Sequence, residues 1–369
     1  MHVVVCTVVH HPADARIYFR QIRALLDAGH RVTYIAPWGE PGAPEPASGL
    51  TAVTIPRAVG RHRLGALRAA RAALRSHAPG ADLLLVHDPE LLLALPPRRH
   101  RPPTVWDVHE DTAAALTTKA WLPSSLRPAA GGGVRLAEHL AERRLHLLLA
   151  EHGYRARFAG DHPVVPNTTF VPDQAAPPSG PRRVVYVGHL SPDRGSAEMV
   201  ALGKLLKPHG IAVELIGSAD AAARAHISSG RASDGTDAVR WHGFVPNAQA
   251  LSMCEGALAG LSLLHDEENF RHSMPTKVHE YMARALPVIT TPLPLPEGLV
   301  TGADCGFIVP FGPDGVSAAR DAVLRLDGDA GLRVKLGARA HESARASDGW
   351  RRDAVAFVAQ LEQWAGSRG

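Results

Sequence analysis

Short, almost wholly apolar runs alternate with helix-period segments along this chain, and that alternation restricts the fold more than any other feature. In the first half the runs are 3–9 (Val-Val-Val-Cys-Thr-Val-Val), Val32–Ala36, Leu83–His87, Thr104–Val108 and Leu147–Ala150. Between them Ile17, Tyr18, Ile22, Leu25 and Leu26, and later Leu64, Leu67, Ala70 and Leu74, recur at helical spacing. Apolar strands separated by amphipathic helices predict a parallel sheet covered on both faces. A Pro-rich stretch, 166–181, interrupts the pattern, and a fresh strand, Arg183–Gly188, restarts it. Proline there favours neither helix nor strand interior, so the stretch reads as a stiff linker between two domains. The second half alternates again, with strands at Ala212–Ile216 and Leu258–Leu264 and helices at Glu198–Leu206 and Asp220–Ile227. The expected class is α/β, with doubly wound, Rossmann-like domains over 1–165 and 182–348. A last amphipathic helix, Trp350–Trp364 within 349–369, is placed to cross back to the first domain.

In parallel sheets of this kind ligands collect at the carboxyl ends of the strands. The first half puts polar clusters at three such ends: His10, His11, Asp14 and Arg16; His87 and Asp88; and Asp107, His109, Glu110 and Asp111. One histidine at a strand end is ordinarily structural or solvated; three clusters together point to a site. No Gly-x-Gly-x-x-Gly follows the first strand, which removes the main argument for a nicotinamide or flavin cofactor there.

The second half holds the most informative stretch, Ser273–Pro287. Pro275 suits the opening of a helix, Val278, Met282 and Ala285 keep helical spacing, Pro287 ends the run, and Val288-Ile289-Thr290-Thr291 then reads as a short buried strand. A helix opening on a turn presents unpaired N–H groups and a positive dipole end to phosphate, and Lys277 adds a mobile cation. Glu280, less than a turn further in, is unsuited to phosphate but accepts hydrogen bonds from sugar hydroxyls. The alternative is an amphipathic core helix with solvated polar residues.

Composition excludes other classes. At 369 residues, 45% hydrophobic and 21% charged, the chain has material for two cored domains. Cys6, Cys254 and Cys305 lie apart in apolar surroundings, as reduced thiols of a cytosolic protein would. No signal peptide or membrane span is expected. The net charge of +4 is uneven: residues 1–165 carry 20 Lys/Arg against 14 Asp/Glu. That basic half suits an anionic membrane surface or acidic acceptor, though Arg-rich proteins often carry such charge with no partner. No aromatic residues interleave the basic ones, so nucleic acid is not expected. Asp327-Gly328-Asp329 has the spelling of a metal-binding Asp-x-Asp pair, but lies where Asp and Gly cap and turn helices. The 21 histidines lack zinc spacing and no Gly-x-Ser-x-Gly elbow marks a hydrolase.

Several segments together resemble family 4 of the GT-B glycosyltransferases over nearly the whole chain. They are the opening His10-x-x-x-Asp14-x-Arg16 with Gly29-His30-x-Val32, Tyr186 to Gly195 (Tyr-Val-Gly-His-Leu-Ser-Pro-Asp-Arg-Gly), and Pro275-Thr276-Lys277 through Glu280 to Ala283 with Pro287-Val288-Ile289. Cys305–Pro310 and Trp350 follow the family pattern too. The resemblance implies two domains facing a central cleft, a nucleotide-sugar donor on the second and a small-molecule or glycan acceptor on the first. The donor is expected to be a UDP-sugar or, alternatively, a GDP-sugar. It implies ribose binding by Glu280, diphosphate neutralisation by Arg194, and a role for His109 at the donor sugar near the reaction centre. Gly188, Thr276 and Lys277 complete the donor-binding candidates. Two positions depart from the pattern: His272 replaces the earlier Glu of the Glu-x7-Glu motif, and His189 replaces a phosphate-binding Arg. Asn269 and Ser273 are candidates for the missing sugar contacts.

By resemblance the reaction is a retaining transfer by same-face attack, without metal or other cofactor, in natural-product or cell-surface glycan synthesis of a bacterium. The location implied is cytoplasmic, with peripheral contact to the inner face of the membrane as an option. An inactive partner subunit is the non-enzymatic alternative. A nucleotide-sugar epimerase would need an acid and a base carboxylate, and Glu280 alone does not supply them.

Overall fold

The computed structural model describes residues 1–109, 127–175, 181–230, 237–347 and 349–367. The chain divides into two compact units, Met1–Asn167 with Arg352–Gly369, and Thr168–Arg351.

The first unit is built on a parallel sheet of β1 (His2–Cys6), β2 (Arg31–Ala36), β3 (Leu50–Thr54), β4 (Leu83–Val86), β5 (Thr104–Val108) and β6 (His146–Leu149). Their spatial order is β3-β2-β1-β4-β5-β6. The order reverses between β1 and β4, so the crevice beyond their carboxyl ends is the switch point where doubly wound sheets bind ligands. The helix Arg63–His77 packs by Ala66, Ala70 and Leu74, all buried. Leu64, placed on the apolar stripe by its spacing, is instead 69% exposed. The small Ala66 and Ala70 let the helix lie close to the sheet, which turns the neighbouring Leu64 outward.

The second unit repeats the plan with β7 (Arg183–Val187), β8 (Ala212–Ile216), β9 (Arg240–Trp241), β10 (Ala259–Ser262), β11 (Val288–Thr290) and β12 (Gly306–Ile308). All pairings are parallel, in the order β12-β11-β10-β7-β8-β9. Alternate residues of β7 enter opposite cores: Val184 and Tyr186 on one face, Val185 and Val187 on the other. Each fully buried Val or Leu in these layers contributes about 1.5–3 kcal/mol, so both sheets are strongly held.

Three strands, β3, β9 and β12, are additional to those read from the sequence. The first strand also stops at Cys6 rather than Val9, because Val8 and Val9 turn their N–H groups toward Asp88. The helix of the Ser273–Pro287 stretch spans Thr276–Met282. Ala285 is not part of it and lies at φ 54, in the left-handed region. Its N–H closes a tight turn onto the Met282 carbonyl, and Leu286 N–H returns to the Tyr281 carbonyl. The last helix is Gly349–Gly366, and its carboxyl-terminal part groups with the first unit, where Trp364 stacks on His146.

Candidate active site

In the first unit the three strand-end clusters converge on one buried carboxylate. Asp107, at the end of β5, is fully buried. It accepts bonds from Arg16 Nε and Nη2, both at 2.7 Å, and from Gln21 Nε2 at 2.9 Å. Burial alone would raise its pKa, but the Arg16 charge and the hydrogen bonds hold it well below the carboxylate range. Arg16 spends its remaining nitrogen on the Val165 carbonyl and Asn167. His87 Nδ1 lies 3.2 Å from Asp107 Oδ2, and burial pushes its pKa down, keeping the ring neutral.

Asp88 is similarly committed. Its Oδ2 accepts from Thr7 Oγ1 and from the N–H groups of Val8 and Val9, which fixes the loop after β1. The sequence reading gave Arg16, His87 and Asp88 as substrate ligands. All three are buried: Arg16 and Asp88 have their polar atoms engaged by Asp107, Asn167, Thr7 and the backbone, while His87 Nε2 has no hydrogen-bond partner among the described residues. Glu110 and Asp111 of the third cluster lie outside the described residues.

That framework presents His109 and His10. His109 Nδ1 is 3.1 Å from the Asp107 carbonyl, which only accepts, so Nδ1 carries the proton. Its Nε2 is 2.9 Å from His10 Nε2. At that distance one Nε2 donates and the other accepts. His10 is flanked by two carboxylates, Asp88 Oδ1 at 3.3 Å and Asp14 Oδ2 at 3.6 Å. Burial opposes ionisation of Asp14, yet the bond and charge of His10 hold its pKa below the ordinary value. His10 carried no assigned role in the sequence reading; its partner is 99 positions away, so nothing local signals the pairing.

His87, Asp107 and His109 bring potential metal-ligand atoms within 4.8 Å of one another. A cation there would compete with the Arg16 guanidinium, which already occupies both Asp107 oxygens. The donor set suits an arginine-neutralised carboxylate better than a metal.

In the second unit the loops after β7 and β8 meet closely. A Cβ on Gly217, at φ 146, would come within 1.9 Å of the Gly188 carbonyl oxygen, so this approach admits only glycine. Lys277, in the first turn of Thr276–Met282, is 8% exposed and lies with its Nζ 4.7 Å from the Tyr186 ring centroid. Its Cε would be 3.6 Å from a Cβ on Gly188, so the ammonium faces the loop after β7. Burial, reinforced by the positive charge of Arg194, pushes the Lys277 pKa down to about 7, against the pull of Glu280 and Asp193. Arg194 closes the turn Pro192–Arg194, its guanidinium 5.9 Å from the Phe270 ring centroid. Among the described residues neither cation forms an ion pair with a carboxylate.

Gly260 locks this helix to the sheet, since a Cβ there would lie 2.2 Å from Tyr281 Cγ. Tyr281 Oη in turn accepts from Val187 N–H and donates to the Leu261 carbonyl, joining the helix to β7 and β10 at the second switch point. Glu280 is buried and accepts from Asn247 Nδ2 at 3.3 Å. His189 is exposed and bonds Ser218 Oγ at 2.9 Å. Thr276, Ser273 and Asn269 are half-buried, and the Asn269 Oδ1 is buried without a hydrogen-bond partner. His272, the replacement for the earlier Glu, is exposed on the turn after the short helix Glu268–Arg271. The Asp327-Gly328-Asp329 segment is structural: Asp327 pairs with Arg182 and Asp329 caps the following helix.

With this geometry in hand, residues 181–329 match the family model of Glycosyl transferases group 1. Three solved structures are similar over nearly all of both chains. Sucrose-phosphate synthase from Thermosynechococcus elongatus has a TM-score of 0.74 at 18% identity, covering 98% of each chain. WaaG, a glycosyltransferase involved in lipopolysaccharide biosynthesis, has 0.67 at 14%, covering 96% of this chain and 98% of its own. An E. coli structure described as trehalose-6-phosphate bound with UDP-2-fluoro glucose has 0.66 at 13%, covering 98% and 99%. At such identities the likeness establishes the fold. No curated protein matches by sequence. The chain has the two-domain α/β fold of the GT-B glycosyltransferases. Its second unit carries the group 1 domain. Among the described residues no helix is long and apolar enough to cross a membrane.

Proposed function

We propose that the chain is a family 4 glycosyltransferase that moves a sugar, with retention, from a nucleoside-diphosphate sugar to a hydroxyl acceptor. The observation carrying this reading is the meeting of Lys277 and Arg194 at the loop after β7, inside the matched domain. Two cations, neither in an ion pair with a carboxylate among the described residues, form a site for an anion with more than one negative charge, and burial followed by the Arg194 charge lowers the Lys277 pKa. Glu280, buried on the same helix as Lys277, supplies the acceptor for ribose hydroxyls. The bound UDP-sugar analogue in the E. coli neighbour supports a UDP-sugar over a GDP-sugar. WaaG, involved in lipopolysaccharide biosynthesis, and AviGT4, involved in avilamycin A biosynthesis, support a cell-surface glycan and a natural product as the two acceptor classes.

As the anomeric bond breaks, negative charge grows on the leaving diphosphate. Arg194 and Lys277 stabilise it electrostatically without a metal, and the leaving phosphate takes the acceptor's proton in a same-face attack. His109, held by Asp107 and His10, serves at the donor sugar. The first unit takes the acceptor, with Asp14 among its binding residues, and its basic charge favours an anionic surface at the inner face of a cytoplasmic membrane. The test is a nucleotide-sugar library incubated with the protein and read by mass spectrometry for release of nucleoside diphosphate. Release from one donor class supports the reading. Tight nucleotide binding with no release from any donor or acceptor overturns it in favour of a partner subunit.

A further inference from the structure

The amino-terminal edge of the first unit's sheet, opposite the His10–His109 cluster, holds a cavity of about 480 Å³. It opens where β5 and β6 begin, and a five-residue strand separates it from His109 by roughly 15 Å. Arg98, Arg99, Arg101 and Arg144 line it together with His100 and His146, and among the described residues no carboxylate does. The chain builds this convergence from two directions. The tight turn Arg98–His100 and the Arg101-Pro102-Pro103 segment enter β5, while Arg144 precedes β6, its neighbour in the sheet. The stack of Trp364 on His146, with ring centroids 4.8 Å apart, braces one wall.

Among the described residues, none of these four arginines forms an ion pair. Surface arginines without partners are ordinary, but Arg101 is not at the surface in full. Its Nη1 is buried and has no hydrogen-bond partner. Burial, and then the charge of Arg98, lower its pKa. A desolvated guanidinium N–H left unsatisfied beside other cations is costly, and an anion removes that cost. Guanidinium groups match phosphate oxygens two at a time, and four of them in one cavity favour adjacent phosphoryl groups over a single-charge anion. The volume is that of a small-molecule site.

We propose that this cavity is a second anion site, remote from the transfer chemistry, that binds a phosphate-bearing molecule presenting a diphosphate or closely spaced phosphates. Such a group comes either as a free metabolite or as the headgroup of an anionic lipid. Hydrogen exchange of the full-length protein, followed by mass spectrometry, locates the site independently of the donor domain. Inorganic pyrophosphate is the first probe, and vesicles containing cardiolipin, whose headgroup carries two phosphates, against vesicles of phosphatidylcholine alone are the second.

Pyrophosphate should slow exchange in segments 97–105 and 143–149. The double variant Arg101→Gln/Arg144→Gln should weaken this protection tenfold or more while leaving donor turnover and any protection in segment 188–195 unchanged. Protection by pyrophosphate identifies the free anion as sufficient. Protection only by cardiolipin vesicles, lost in the same variant, identifies the headgroup. No protection by either probe, or protection that survives the double substitution, overturns the proposal. An Arg194→Ala protein keeps the two sites separable: it should lose protection in segment 188–195 and keep it in segment 97–105.

Discussion

Replacing Asp107 by asparagine tests how the first unit's site is held together. The carboxylate is fully buried and receives N–H groups from Arg16 and Gln21 on both oxygens, with His87 alongside. Asparagine keeps the shape but removes the charge and turns one acceptor into a donor facing other donors. Arg16, only 5% exposed, then keeps a buried charge whose closest counter-charge is gone. Breaking a buried pair by deleting one partner costs about 3–5 kcal/mol. At about 1.36 kcal/mol per decade this is roughly 160- to 4,700-fold faster hydrogen exchange in β4 and β5 at pH 7.

The pH dependence fixes the cause. The folded pKa of Asp107 is depressed, so its contribution is present above the unfolded value near 3.9 and lost as pH falls through the folded value. Urea melts should show the gap between wild type and Asp107→Asn constant from pH 7 to about 4. Below that it should narrow by about 1.4 kcal/mol per pH unit. A gap under about 1 kcal/mol at pH 7, or one that does not narrow in acid, refutes the assignment of Asp107 as the organising charge.

Three further outcomes follow from the two clusters. Lys277, with its pKa pushed to about 7, is largely neutral at pH 8, so binding a nucleoside diphosphate there should take up a proton. Calorimetry in two buffers of different ionisation enthalpy should give different apparent enthalpies, and identical ones would remove Lys277 from the phosphate site. Arg194→Ala should weaken the diphosphate more than the nucleoside, with Arg194→Lys recovering much of the loss; equal losses for both ligands would place Arg194 elsewhere. His109→Ala should lower turnover by about 100-fold or more and barely change nucleotide affinity, and near-normal steady-state turnover would return His109 to a structural role.

The sequence made the central strands legible because strands buried on both faces are continuous apolar runs. It did not reveal β3, where Leu50 is the one buried residue of Leu50–Thr54, nor β9, whose two residues are exposed. Edge strands carry too few buried positions for their period to show. The candidate residues were legible as polar groups at strand ends, but their roles were not. Arg16 and Asp107 are 91 positions apart, and only the sheet order β1-β4-β5 brings them into a buried pair. A polar residue reads the same in sequence whether it faces a ligand or a buried counter-charge. The pairing of His10 with His109 was hidden for the same reason. Lys277 was legible as a cation in the first turn of the Thr276–Met282 helix, whereas its burial against the Tyr186 ring, far away in the sequence, was not.

The central claim is that the second unit holds a nucleoside diphosphate through Arg194, Lys277 and Glu280. Isothermal titration of a panel of nucleoside diphosphates into wild type and Glu280→Ala tests it most directly. Wild type should bind one base preferentially. The variant, still folded, should lose about 1.5–3 kcal/mol, roughly 10- to 150-fold, as the charged acceptor for ribose hydroxyls is removed. Equal affinity in the two proteins would contradict the placement of ribose at Glu280, and no binding of any nucleotide by wild type would contradict the claim as a whole.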